Sequence, residues 1–197
     1  MKEIIRPENK WDLIKFIKKE VGDCGWSADL NHLDVSELED LSGLFSESYG
    51  IFEFNGDISK WDVGRVRNMN RMFEFSRFRG DIANWDVGGV LGMKNMFAHS
   101  LFNGNLSRWN ISGVKEMQGM FKASEFGQPL EDWVLNEQCD TTDMFKGCAL
   151  WERLLAQRDV SIQAKSDFEV VRALWRKNFL HERLIEQIEE QPKKIRL

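Results

Sequence analysis

The sequence predicts an α/β repeat fold: a solenoid of about five stacked 24-residue coils with helical caps at both ends. Three observations predict it. Phe54 to Gly127 holds three copies of one unit at a constant offset of 24 residues. The copies keep large apolar residues at fixed positions. Trp61, Trp85, Trp109 and Trp133 share one column, Val63, Val87, Ile111 and Leu135 a second, and Met72, Met96, Met120 and Met144 a third, followed by Phe73, Phe97, Phe121 and Phe145. The columns also continue backwards at an offset of 28, which places Leu30, Leu33, Val35, Leu38, Leu41, Leu44 and Phe45 under Ile58, Trp61, Val63, Val66, Met69, Met72 and Phe73. The last unit is degenerate, with Gln138 and Thr141 where the others have Val and Met. Atypical end units are expected, because an end unit packs on one neighbour only.

Within a unit, Ile58 lies between Asp57 and Ser59, an alternation that predicts a short strand with Ile58 inward. Trp61 and Val63 are also apolar, so the chain must bend near residues 60–62. Asp62, Asp86 and Asn110 suit that bend, since short polar side chains bond nearby backbone N–H groups. From Val63 the apolar spacing becomes three residues, which predicts one or two helical or 3₁₀ turns, capped in the first unit by Ser36 and Glu39. A single unit cannot bury its own Trp, Met and Phe, whereas stacked units can. Each buried ring removes about 150–250 Å² from water. The repetition in register therefore assigns these stripes to a core and not to a cofactor pocket or sugar platform, and no cofactor is expected. The spaced glycines recur as turns and are never followed by the Lys-Ser or Lys-Thr of a phosphate-binding loop.

The ends read as caps, dividing the chain into 1–27, 28–148 and 149–197. Pro7 opens a helix expected over residues 8–21, with Trp11, Ile14, Ile17 and Val21 on its apolar face, Leu13 and Phe16 beside it, and Gly22 and Gly25 ending it. Four extra residues between Phe45 and Phe54 must bulge. Their segment, Glu47 to Phe52, holds the only Tyr, and it either folds onto the N-terminal helix or presents an apolar patch. After Cys148 a short helix around Leu150, Trp151, Leu154 and Leu155 precedes a polar linker. Ser166 to Glu169 is a capping box for a helix to about Glu190, either a cap or a partner-binding element.

The formal net charge is −5, and residues 28–149 carry 19 acidic against 11 basic side chains. An acidic body argues against a nucleic-acid partner. Arg65, Arg67, Arg71, Arg77 and Arg79 form the only dense basic run, read as the solvated face of one coil. Cys24, Cys139 and Cys148 are an odd, scattered set, which is no disulfide framework, and His32, His99 and His181 offer no zinc spacing, so no metal site is expected. The N-terminus lacks the apolar core of a signal peptide, and no segment is long enough to span a membrane. Val21 to Cys24 lacks the upstream apolar stretch of a lipoprotein cleavage site. These features predict a cytoplasmic monomer.

The strings FNGDISKWDVGRVRNMNRMF, RGDIANWDVGGVLGMKNMF and NGNLSRWNISGVKEMQGMF resemble the BspA-type leucine-rich repeat of bacterial surface proteins. The resemblance covers about residues 28–148, and departs from the family where Gly64 and Gly88 replace the usual Ser. It implies a right-handed, leucine-rich-repeat-like solenoid, a role in binding or adhesion at the cell surface, and no catalytic residues. The expected function is non-enzymatic recognition of a protein partner. The alternatives are an intracellular immunity protein or inhibitor neutralising a toxin or effector, and an exported adhesin. The expected binding strip is the set of outward columns beside Ile58: Asp57, Asp81 and Asn105; Ser59, Ala83 and Ser107; and Lys60, Asn84 and Arg108.

Overall fold

The structure, a computed structural model, describes residues 2–130 and 132–151. The expected C-terminal helix and capping box lie outside the described residues. The α/β solenoid of about five coils does not hold. Among the described residues there are α1 (Lys10–Cys24), one 3₁₀ turn (Glu47–Tyr49), helical residues 149–151 where the short helix around Leu150 and Trp151 is expected, and no β-sheet. Pairing between units is confined to isolated parallel bridges. The short strand expected at Ile58 is absent, as is the helical turn expected after Ser36.

Side chains that bond the backbone explain the missing strands. Asp57, Asp62 and Asn68 each accept the backbone N–H two residues ahead, at 2.9, 3.1 and 3.0 Å. Asp81, Asp86, Asn105 and Asn110 repeat the device. Two or three Asx turns per unit, five or six residues apart, break this half of each unit into runs too short for a ladder. Ser36 follows the same rule, both its N–H and its hydroxyl donating to Asp34.

The backbone donors from Met69 to Ser76 divide between two tasks. The N–H groups of Met72, Glu74 and Ser76 turn back to the carbonyls of Met69, Arg71 and Phe73 in their own unit. Those of Met69, Arg71, Phe73 and Phe75 reach the carbonyls of Gly92, Lys94, Met96 and Ala98 in the next. The following units copy this pattern, so the core segment satisfies its backbone without helix or sheet. The geometry requires left-handed backbone at two positions per unit. Arg71, Asn95, Gly119 and Asp143 have φ of 59, 53, 61 and 56°, and Phe75, His99, Ala123 and Gly147 have 58, 57, 50 and 67°.

The bridges Asp40↔Asn68, Asn68↔Gly92, Gly92↔Glu116 and Glu116↔Asp140 step by 28, then by 24, the two offsets read from the sequence. The apolar columns are buried accordingly. Phe45, Phe73, Phe97, Phe121 and Phe145 form a continuous ring column with centroids 5.4, 5.5, 5.7 and 5.6 Å apart. Phe54, Phe78 and Phe102 form a second column, and the columns touch at Phe45–Phe54, Phe73–Phe78 and Phe97–Phe102, 4.7, 4.7 and 4.4 Å apart. Each ring pair adds about 0.5–1.5 kcal/mol beyond its burial. Every repeat Trp gives its indole N–H to the carbonyl of the unit before: Trp61 to Leu30, Trp85 to Ile58, Trp109 to Ile82 and Trp133 to Leu106, all between 2.8 and 3.1 Å.

At the N-terminal end, Asn9 caps α1 through the N–H groups of Trp11 and Asp12, and Gly25 closes it at φ 82°. The helix is longer than expected, with Gly22 inside it, and it turns Leu13, Ile14, Ile17 and Val21 into the core. Trp11 departs from its expected place and is 60% exposed. It meets Tyr49 edge-on at 5.6 Å, while Ile51 is buried, so the inserted loop folds onto the helix. Ile5 pairs with Leu33 in a parallel bridge and ties the segment ahead of α1 to the first unit.

Candidate partner-binding surface

The expected strip lies on the surface, built by turns instead of strands. Lys60, Asn84 and Arg108 are exposed, each held between a buried aliphatic residue two positions before it (Ile58, Ile82, Leu106) and the buried Trp that follows it. Asp57 and Asp81 are exposed, whereas Ser59 and Ser107 are half-buried. The acidic columns do structural work. Asp57 accepts the N–H of Ser59, and that backbone bond, with its Ser59 side-chain bond second, holds the Asp57 carboxyl below its ordinary value. Asp81 and Asn105 accept from Ala83 and Ser107. The backbone N–H of Lys60 donates to Asn31 at 2.8 Å, fixing the turn while leaving the ammonium free to reach outward. Among the described residues Lys60 and Arg108 make no ion pair. Lys60 also borders a cleft of about 290 Å³ lined by Ile4, Arg6, Asp34, Trp61 and Asp62, where Arg6 donates to Asp34 at 2.8 Å.

The dense basic run is dispersed by pairing. Arg65 binds Glu37 at 2.6 Å, Arg77 binds Glu53 at 3.1 Å, Arg79 binds Glu125 at 2.8 Å and Arg71 lies 3.7 Å from Glu74. Arg67 turns inward along the backbone and donates to the carbonyls of Gly64, Val66 and Gly89. Such exposed pairs contribute roughly 0–1 kcal/mol each.

Two features escaped the sequence reading. The buried serines Ser76, Ser100 and Ser124 accept the N–H of Phe78, Phe102 and Phe126, while their hydroxyls donate to backbone carbonyls. Cys148 takes the same column in the last unit, and the N–H of Trp151 approaches its sulfur at 3.4 Å. That cysteine is part of the fold. Burial, with Asp140 beside it as the lesser cause, pushes the Cys139 thiol up to about 11. The second feature is Phe75, 44% exposed, whose ring stacks on that of His99 at 4.5 Å and 4°. A bulky residue in left-handed backbone costs roughly 1–2 kcal/mol, for which an exposed ring pair gives little in return. The signal was in the column itself, where Phe75, His99, Ala123 and Gly147 share a position but not a chemistry.

Among the described residues no cluster of His, Cys, Asp and Glu could hold a metal ion, and no helix is long and apolar enough to cross a membrane. Units joined by a fixed hydrogen-bond register and shared ring columns define a tandem-repeat protein. The family model described as "Mycoplasma protein of unknown function, DUF285" matches residues 16–100 and again residues 39–158, and the chain belongs to that family. The two matches begin about one repeat apart, as a repeat-built family requires. No curated protein and no solved structure matches the chain.

Proposed function

We propose that the chain is a non-enzymatic recognition module that binds a protein partner across the strip of Lys60, Asn84 and Arg108. One observation carries this. Three side chains of different chemistry stand exposed at one repeat position, each between buried anchors, and both cations are left without an ion pair among the described residues. A rigid scaffold that varies one exposed column suits specific recognition, where a few residues supply most of the affinity. The kinship to BspA-type repeats suggested by the repeat strings points the same way, towards binding and away from catalysis. The cleft beside Lys60 offers a partner side chain a place to enter. The test is a Lys60→Glu, Arg108→Glu double variant, compared with the wild type in binding to a partner recovered from native cells. The variant keeps its melting temperature and binds at least about tenfold more weakly, a loss of the size expected at hot-spot positions. Undiminished binding would place the interface elsewhere. The partner's identity then separates adhesion from neutralisation of a toxin or effector.

A further inference from the structure

We propose that the surface beside His99 is a binding slot for an electron-rich aromatic side chain, tyrosine or tryptophan, of a protein partner. The proposal builds on the protein-recognition reading but occupies a different surface from the Lys60–Arg108 strip. In the core, one ring column runs through every unit from Phe45 to Phe145. A third column begins the same way on the surface and then stops. Phe75 and His99 stack with rings parallel to within 4°, but the next two units supply Ala123 and Gly147. All four residues share left-handed φ, from 50 to 67°, so the backbone stays in register while the rings end. The outer face of the His99 ring therefore looks over a methyl group and then a bare α-carbon. The opening is real space. Among the described residues, a β-carbon placed on Gly147 would meet nothing nearer than the Ala123 α-carbon at 4.0 Å. Two units at about 4.8 Å each give a slot roughly 10 Å tall, enough for a ring stacked on His99.

The rim supports an electron-rich guest. Lys122 and Lys146 each precede a slot residue in sequence, and both approach the single carboxylate of Asp143, at 4.0 and 3.3 Å. Two ammonium groups share one carboxylate, so one positive charge is left over on the side chains that flank Ala123 and Gly147 in sequence, and a cation near a ring face favours Trp and Tyr.

The experiment follows the Ala123 methyl and His99 ring signals of the full chain by NMR while N-acetyl-tryptophanamide is added. Both signals should shift upfield and saturate. His99→Ala removes the stacking face and should weaken the probe about fivefold, the usual worth of an aromatic pair. Ala123→Phe supplies the missing ring in a backbone conformation that Phe75 already adopts, and should abolish binding. The Lys60→Glu, Arg108→Glu variant should bind the probe as the wild type does, so the slot and the strip succeed or fail separately. The absence of saturable shifts in the wild type would overturn the proposal, as would binding that survives Ala123→Phe or is lost in the strip variant. Should Ala123→Phe not fold, unchanged affinity in His99→Ala would overturn it alone.

Discussion

At the residue scale, the backbone conformation of position 123 makes opposite demands on neighbouring substitutions. Ala123 has φ 50° and Gly119 has φ 61°. Ala123→Gly relieves a left-handed cost of roughly 1–2 kcal/mol and adds about 0.4–1 kcal/mol of unfolded-chain entropy, so it should stabilise by about 0.5–1 kcal/mol. Gly119→Ala should destabilise, because an alanine at φ 61° is strained, and its β-carbon, 2.3 Å from Asn95 Oδ1, would also make the Asn95 side chain shift. Urea denaturation of both variants checks the signs, and a shift in the same direction for both would refute the assigned backbone. Acid stability follows from the Asx turns. Asp34 is held below its ordinary 3.8 first by the Ser36 hydroxyl and then by Arg6, Asp57 by the Ser59 N–H, and Asp140 by the Thr142 hydroxyl. A depressed folded value means that the stabilisation is present above the unfolded value and is lost as pH falls through the folded one. The melting temperature should therefore be level above about pH 5 and fall progressively below pH 4. Asp57→Asn and Asp140→Asn should flatten that fall, and an unchanged acid limb in the double variant would remove these turns as its cause. Alkylation at pH 8 should modify exposed Cys24 first, Cys139 slowly because its thiol titrates near 11, and buried Cys148 only on unfolding.

At the scale of the repeat unit, the Trp column tests how the units communicate. Trp85 is buried, donates to the Ile58 carbonyl at 3.1 Å and has Trp61 and Phe73 at 6.4 Å. Trp85→Ala should cost about 3–5 kcal/mol. Trp85→Phe keeps most of the apolar burial, and the Ile58 carbonyl keeps its bond from the Trp61 N–H, so it should cost only the indole hydrogen bond, about 0.5–1.5 kcal/mol. A soluble Trp85→Ala variant with an unchanged melting transition would contradict the buried column. The core was legible because burial repeats with the period. Trp61, Met72, Phe73 and their equivalents are all inside, and the offsets of 28 and 24 read from the residues match the bridges. The strands were not legible correctly. Asp57–Ile58–Ser59 alternates as a strand does, but the same Asp bonds the Ser59 N–H and turns the chain. The pattern records which side chains face inward, and an Asx turn satisfies that pattern as well as a strand. Left-handed positions were hidden for a related reason. Glycine marks them at Gly119 and Gly147, while Arg71 and Phe75 occupy the same columns without signalling them. Trp11 was misplaced because helical spacing allowed either Trp11 or Leu13 on the inner face, and Leu13 took it.

At the scale of the whole molecule, one register fixes both the ring columns inside and the polar columns outside. The exposure of Lys60, Asn84 and Arg108 was legible from their place between buried neighbours, and the turn that presents them was not. The pairing that disperses the arginine run was also hidden, since Glu53 and Glu125 approach Arg77 and Arg79 from neighbouring units across 24 and 46 residues of sequence. The central claim is that this register carries a protein-binding strip. Its most direct test is site-specific photocrosslinking in native cells, with a benzophenone amino acid replacing Asn84 at the centre of the strip. The account predicts one discrete protein adduct, which disappears when Lys60→Glu and Arg108→Glu are added to a chain of unchanged melting temperature. An adduct that persists in that background, or the absence of any adduct from position 84, would contradict it.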